Sequence, residues 1–437
     1  VNDGTSDFAK TFTISISNVN EAPQVSNSNL TAVEQIALDI ELTGTDPELT
    51  NASIFKITDL PSNGTLSHKG SVISSVPYTT TNELANWVLT SDENKDYRFG
   101  SGESIDTNLP SIKSILSSKG YDLNNFYMGA ALNSNQLGTS VETLFLNEFN
   151  YATTENSAKQ SIYRPSPDKW NRSRVDAFLN FAKNNNVTLR MHGPVGPQSS
   201  TWAKTDSRTA SELETNMTEF LTDLSQKINN QTHVKWMDVV NETVNSDGSW
   251  FSDKPGTDQW ENPWVKMGYN SDNIPNYIVK AFEIANTHAT NISLIYNQHG
   301  AMESAAWDKI KSTILYLKNT KGLRVDGLGW QAHLKDHIDL GMDKEKLEYF
   351  SNLIDWAHTN GLDFHITEID YRRENESNSA ASSAFLESQA TAYSNLLKVL
   401  ISKRKSGVVS YNTWGMVDKR GYKKFMFDEN NNPKPAL

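Results

Sequence analysis

From about residue 108 onward the chain alternates between short apolar runs and amphipathic stretches of helical period. The apolar runs fall at Phe126–Leu132, Phe145–Tyr151, Thr188–Met191, Val234–Val240, Ser293–Tyr296, Val325–Gln331, Phe364–Ile369 and Val408–Trp414. Between them the helical pattern is clearest at Ser211–Ile228, Trp307–Asn319, Lys344–Asn360 and Ala384–Lys403. Runs rich in β-branched residues, without polar alternation, read as strands covered on both faces. Eight such strands separated by helices predict an α/β fold, a (β/α)8 barrel, with its chemistry at the C-terminal strand ends.

Two of those ends carry acid. Lys235–Thr243 is an apolar strand that stops in Asn241 and Glu242, and Leu362–Asp370 stops in Glu368 and Asp370. Burying a carboxylate costs several kcal/mol unless it is paired or used. Each Glu alone could instead cap the following helix or pair with an Arg. Two in one barrel are what a glycosidase needs, one to protonate the leaving oxygen and one to attack the sugar carbon. A retaining pair should stand about 5–5.5 Å apart, and like-charge repulsion from an ionised nucleophile should raise the acid's pKa. The inventory of strand-end polar groups is longer: Asn156 and Lys159, His192, Asn297, Gln331 and His333, and finally Trp414. Packing alone does not explain polar groups converging from so many strands.

These residues lie in segments that resemble the family-10 glycoside hydrolases, the endo-β-1,4-xylanases. The segments are Glu148–Asn156 with Lys159, Asp238–Glu242, Gly327–Leu334, Ile366–Asp370, and Trp414-Gly415 with Asp418. The resemblance implies a general acid/base at Glu242 and a nucleophile at Glu368. It also implies that Asn241 bonds the 2-hydroxyl of the cleaved sugar, and that His333 holds Glu368 with Asp370 behind it. Gln331 would sit near Glu242. Asn156, Lys159 and His192 would bind sugar hydroxyls, Asn297 would face substrate, and Trp414 would form an apolar wall. The substrate expected is a xylan-type polysaccharide, with no cofactor for catalysis. The alternatives are another decorated or anionic plant or algal glycan, or a non-catalytic carbohydrate-binding or adhesion protein.

The chain departs from the family pattern in three loops. Where the family reads H-T-L-V-W-H after strand three, the chain has His192-Gly-Pro-Val-Gly-Pro197. Small residues there predict a cleft widened at the cleavage point. Strand five ends Asn297-Gln-His-Gly300 instead of N-D-Y-N, which makes His299 either a new contact or a structural loop histidine. Lys419-Arg-Gly-Tyr-Lys-Lys424 replaces an expected tryptophan. It is either an acidic-sugar contact or a solvated face.

Residues 1–23 read as the terminal strands of one repeat and residues 24–95 as a β-sandwich, with a linker at 96–107 and the barrel at 108–437. Asp7–Ser17 alternates with period two, and short strands follow between Gly, Pro and Asn turns. This part resembles cadherin-like, immunoglobulin-like repeats. The resemblance implies structural calcium near Asn20, Glu21 and Asp46, set against turn-forming side chains without metal. The alternation at Phe8, Phe12, Ile14 and Ile16 predicts that this strand docks onto the downstream sheet. Opening mid-pattern at Val1, with no leader, the chain reads as a piece of something longer. It also stops before an eighth barrel helix. A net charge of −12 argues against nucleic acid, and no run reaches the roughly 18 apolar residues of a membrane span. Zero cysteines exclude disulfides and thiolate sites. The expectation is a monomer, secreted or at the bacterial cell surface.

Overall fold

The computed structural model describes short strand segments between residues 14 and 90. It then describes residues 110–121, 125–256, 260–335, 343–372 and 383–416. The chain divides into two compact units, Val1–Pro110 and Ser111–Leu437.

In the first unit Ile14–Ile16 pairs antiparallel with Ile54–Ile57, which pairs on its other edge with Tyr78–Thr81. The expected docking of the leading strand is therefore seen at Ile14 and Ile16; Phe8 and Phe12 lie outside the described residues. Leu38–Ile40, Trp87–Thr90, Thr65–His68 and Ser71–Val72 form a second antiparallel sheet in that order. Gln24–Val25 pairs with Gly44–Thr45. The calcium candidates Asn20, Glu21 and Asp46 lie outside the described residues.

The second unit is a closed barrel of eight parallel strands. They are β1 Phe126–Ala131, β2 Tyr151–Thr153, β3 Thr188–Met191, β4 Val234–Asn241, β5 Ser293–Gln298, β6 Gly327–Trp330, β7 Asp363–Arg372 and β8 Val409–Thr413. Each pairs with the next, and β8 pairs with β1 to close the ring. One expected strand was misplaced. Phe145–Tyr151 is mostly the end of helix Ser140–Glu148, which Thr139 caps by accepting from the Val141 amide. Val141, Leu144 and Phe145 share the buried helical face, so the apolar cluster follows a period near 3.6 and the strand starts only at Tyr151.

The outer helices form for local reasons. Ala210–Asn229 starts in a capping box: Thr209 accepts from the Glu212 amide and Glu212 accepts from the Thr209 amide. Leu213, Met217, Phe220, Leu221, Leu224 and Ile228 recur at helical spacing and are fully buried. Each such side chain contributes roughly 1.5–3 kcal/mol. Among the described residues no helix is long and apolar enough to cross a membrane.

Aromatic rings plug the N-terminal end of the barrel. Trp236 on β4 meets Tyr127 on β1 edge-on at 4.8 Å and Tyr151 on β2 at 5.2 Å. The barrel is thus a packed core with only its C-terminal mouth free for chemistry. At the plugged end the Trp236 indole donates to Asp363 at 3.4 Å. Burial, partly offset by that bond and by Lys235, pushes the Asp363 carboxyl up to about 6. In the unfolded chain it ionises near 3.8, so between those values the folded state holds the extra proton. Stability should therefore fall as pH rises from about 4 to about 6. Asp363→Asn should flatten that fall and add about 1–2 kcal/mol at pH 7, since the site is partly solvated. Urea melts of both chains at pH 4 and pH 7 check this; a variant less stable at both contradicts it.

Candidate active site

Glu242 directly follows β4, and Glu368 lies in β7 where its pairing with β6 and β8 runs out; the two residues are 8% and 3% exposed. One amide chain joins them. The Asn297 amide on β5 donates to Glu368 Oε1 at 3.1 Å and to Asn241 Oδ1 at 2.8 Å. The Asn241 amide in turn donates to Glu242 Oε1 at 3.1 Å. Gln331, just past β6, donates to Glu242 Oε1 at 2.8 Å and to Asn241 Oδ1 at 3.1 Å. Oε1 of Glu242 thus takes two donors, while Oε2 faces the imidazole of His299 at 3.9 Å.

The backbone has been bent to achieve this. Glu242 has φ +55°, in the left-handed region that a side chain rarely adopts, at a cost on the order of 1–3 kcal/mol. Backbone bonds hold it there: Asn241 N–H to Val195 O at 2.9 Å and Glu242 N–H to Asn297 O at 3.2 Å. The side chain leaves the strand direction and turns into the mouth. Gln298 secures the loop beyond, accepting from Thr243 N–H at 2.9 Å and donating to Val244 O at 2.7 Å. A β-carbon on Gly329 would stand 2.3 Å from Asn297 Oδ1, so the glycine makes room for the central asparagine.

Glu368 sits among donors. His333 Nε2 lies 3.3 Å from Oε2, and Asp370 accepts from His333 Nδ1 at 3.0 Å. His192 Nε2 lies 3.4 Å from Oε1, and its Nδ1 faces Asp238 at 2.8 Å. Asp238 is bonded bidentately by Arg190 at 2.8 and 2.5 Å, both residues fully buried. Burial alone would raise the Glu368 carboxyl, but His192, His333 and Lys159 outweigh it and hold it well below the usual carboxylate range. The group is an ionised, oriented carboxylate at any ordinary pH.

Lys159 is 2% exposed, with Nζ on Asn156 Oδ1 at 2.9 Å and on Gln198 Oε1. Burial pushes its ammonium down, against the pull of Glu368 and Glu242. Trp414 is buried, edge-on to His192 at 5.1 Å and to His333 at 6.2 Å.

Every strand-end residue singled out in the barrel therefore lies in or beside this mouth, but two expectations need correcting. Asn297 is not free to face a substrate. It is fully buried, its amide is spent on Asn241 and Glu368, and its carbonyl accepts from Thr367 at 2.9 Å. The loop after β3 does not leave open space either. Gly196 and Pro197 are buried, and the fully buried Trp264 donates its indole N–H to Gly196 O at 3.2 Å. A β-carbon at Gly196 would stand 2.7 Å from Asn241 O, so the glycine serves close packing of this loop on β4. Lys419–Lys424 lies outside the described residues.

Arg190 and Asp238 were given no role from sequence. The readable signal was a pair of opposite charges, each inside the apolar run of neighbouring strands, where only mutual pairing makes burial tolerable.

The family model for glycosyl hydrolase family 10 matches residues 118–437. Endo-1,4-beta-xylanase Y of Acetivibrio thermocellus is 28% identical over 350 residues, which are 72% of this chain and 31% of that protein. Endo-1,4-beta-xylanase A of Caldicellulosiruptor saccharolyticus is 28% identical over 337 residues, 71% of this chain and 91% of that protein. The chain thus spans about a third of the first and nearly all of the second. Among solved structures, native xylanase 10B from Thermotoga maritima superposes with a TM-score of 0.59 at 26% identity. That match covers 74% of this chain and 95% of the other.

Proposed function

Because the chain belongs to glycosyl hydrolase family 10, we propose that it cleaves β-1,4-linked xylan-type chains internally, by double displacement with retention. Glu368 attacks the anomeric carbon while Glu242 gives its proton to the leaving oxygen. Glu242 then takes a proton from the water that releases the glycosyl-enzyme. The observation that carries this reading is the single amide chain Glu242–Asn241–Asn297–Glu368 across the barrel mouth. It positions two carboxylates from β4 and β7 relative to each other through groups that cannot themselves ionise. The different shells of the two acids suit the two roles. Glu368 takes His192, His333 and Asn297 as partners, which favours a permanent anion. Glu242 takes only neutral amides on Oε1, which leaves Oε2 to carry the proton. Asn241 would bond the 2-hydroxyl, Asn156, Lys159 and His192 would meet hydroxyls on the non-reducing side, and Trp414 would form the wall.

The finer features belong to the same reading: a secreted or cell-surface monomer with a cadherin-like sandwich before the barrel, in which Asn20, Glu21 and Asp46 either hold structural calcium or form turns without metal. The activity is tested on a panel of linear xylan, decorated xylans, other plant and algal glycans and anionic polysaccharides. Reducing ends should appear fastest on xylan-type chains. Release confined to another glycan would move the substrate class, and none on any would favour a binding protein.

A further inference from the structure

His299 follows β5 where the related pattern has tyrosine, and it is the ionisable side chain that faces the free oxygen of Glu242. Its Nδ1 is buried and has no hydrogen-bond partner among the described residues, yet it lies 3.9 Å from Glu242 Oε2. That is beyond hydrogen-bond reach by about 1 Å. The opposite oxygen, Oε1, is already occupied by Asn241 and Gln331. Burying a nitrogen without a partner costs free energy, and a small side-chain movement would give this one the carboxylate. Gly300, at φ +93°, follows directly, and the Trp330 indole pins its carbonyl at 2.8 Å. The backbone is held while the imidazole, 28% exposed, keeps room to turn.

We infer that His299 is a positioning residue for the proton on Glu242. As imidazolium it closes on Oε2 and holds the carboxylate in the ionised form that the second half of the reaction requires. The inference rests on the proposed acid/base role of Glu242. No proton passes between Oε2 and Nδ1: Glu242 gives its proton to the leaving oxygen in the first half and regains one from water in the second, while the imidazolium keeps its own. In the first half Glu242 carries the proton to the leaving oxygen. In the second the imidazolium opposite favours the carboxylate that must accept a proton from water.

Other groups bear on the pair. The uncharged Phe251 ring packs edge-on to His299 at 6.3 Å, with Lys254 5.5 Å from that ring. Glu303, one of whose carboxylate oxygens is buried and unpartnered among the described residues, lies beside Gly300. Lys159 lies within the electrostatic reach of both Glu242 and Glu368. Of these charged groups the Glu242 carboxylate, 3.9 Å away, is the nearest to the imidazole.

Two measurements test this. The alkaline limb of kcat/KM reports loss of the proton from Glu242 in the free enzyme. A cation opposite lowers that limb, so His299→Gln should move it up by about one pH unit. A limb that stays in place overturns the inference, even if KM rises. The second measurement is the titration of His299 in the intact chain by NMR, in native protein and in Glu242→Gln. Coupling is reciprocal, so loss of the carboxylate should move the His299 midpoint down by a similar amount. An unmoved midpoint again overturns the inference. This arm needs no turnover, so it still decides if His299→Gln fails to fold or if the native chain cleaves none of the glycans offered.

Discussion

Glu368→Gln should lower turnover of xylan by about 10⁴- to 10⁶-fold, with the fold intact. Amide nitrogen and oxygen fit the same cage, but an amide cannot form the glycosyl ester on which the two-step route depends. KM should change far less than kcat, because the hydroxyl-binding groups remain. The substitution also has a signature in stability. The native Glu368 carboxyl is held below its ordinary 4.5 by the two histidines and Lys159, against its burial. A depressed carboxylate stabilises the fold above the unfolded value, and that contribution is lost as pH falls below about 4.5. Thermal melts between pH 3 and pH 7 should therefore fall less steeply with acid in Glu368→Gln than in the native chain. Turnover within tenfold of native would contradict the assignment, whatever the melts show.

Glu242→Ala should cost about 10²- to 10⁴-fold on xylan, the range of a positioned proton donor. The loss should depend on the leaving group. An aryl glycoside whose phenolate departs without a proton should form the intermediate almost normally, then wait for a base that is missing. Azide, which attacks without needing proton removal, should restore turnover of that substrate and yield a glycosyl azide. Equal losses on xylan and on the activated glycoside, with no effect of azide, would remove Glu242 from the acid/base role.

The parts of this site that could be read in the sequence share one property: they interrupt a pattern. Glu242 and Glu368 end apolar strands, and the barrel rule places strand ends at the mouth. The parts that could not be read depend on distances between strands. Asn297 looks like a substrate contact when only its strand-end position is known. It is Gly329 on β6, leaving space beside it, that lets Asn297 bridge Asn241 and Glu368 instead. Gly196 looked like missing bulk, yet the loop carrying it folds onto β4 under Trp264. The β2 error has a different origin. In Phe145–Tyr151 the last turn of a helix runs almost directly into a short strand, and a run of apolar residues does not show where one period gives way to the other. The left-handed backbone at Glu242 had no local signal at all, since the residue is neither glycine nor asparagine.

In the proposed route Glu368 becomes covalently bonded to the sugar while Glu242 manages the proton. A 2-deoxy-2-fluoro aryl xylobioside slows both steps but, through its good leaving group, allows the first to run ahead, so the intermediate accumulates. After incubation and proteolysis, mass spectrometry should find the fluorosugar on the peptide containing Glu368 and on no other, with activity lost in proportion to labelling. A label on Glu242 or on another residue, or none from enzyme that still turns over xylan, would contradict the account.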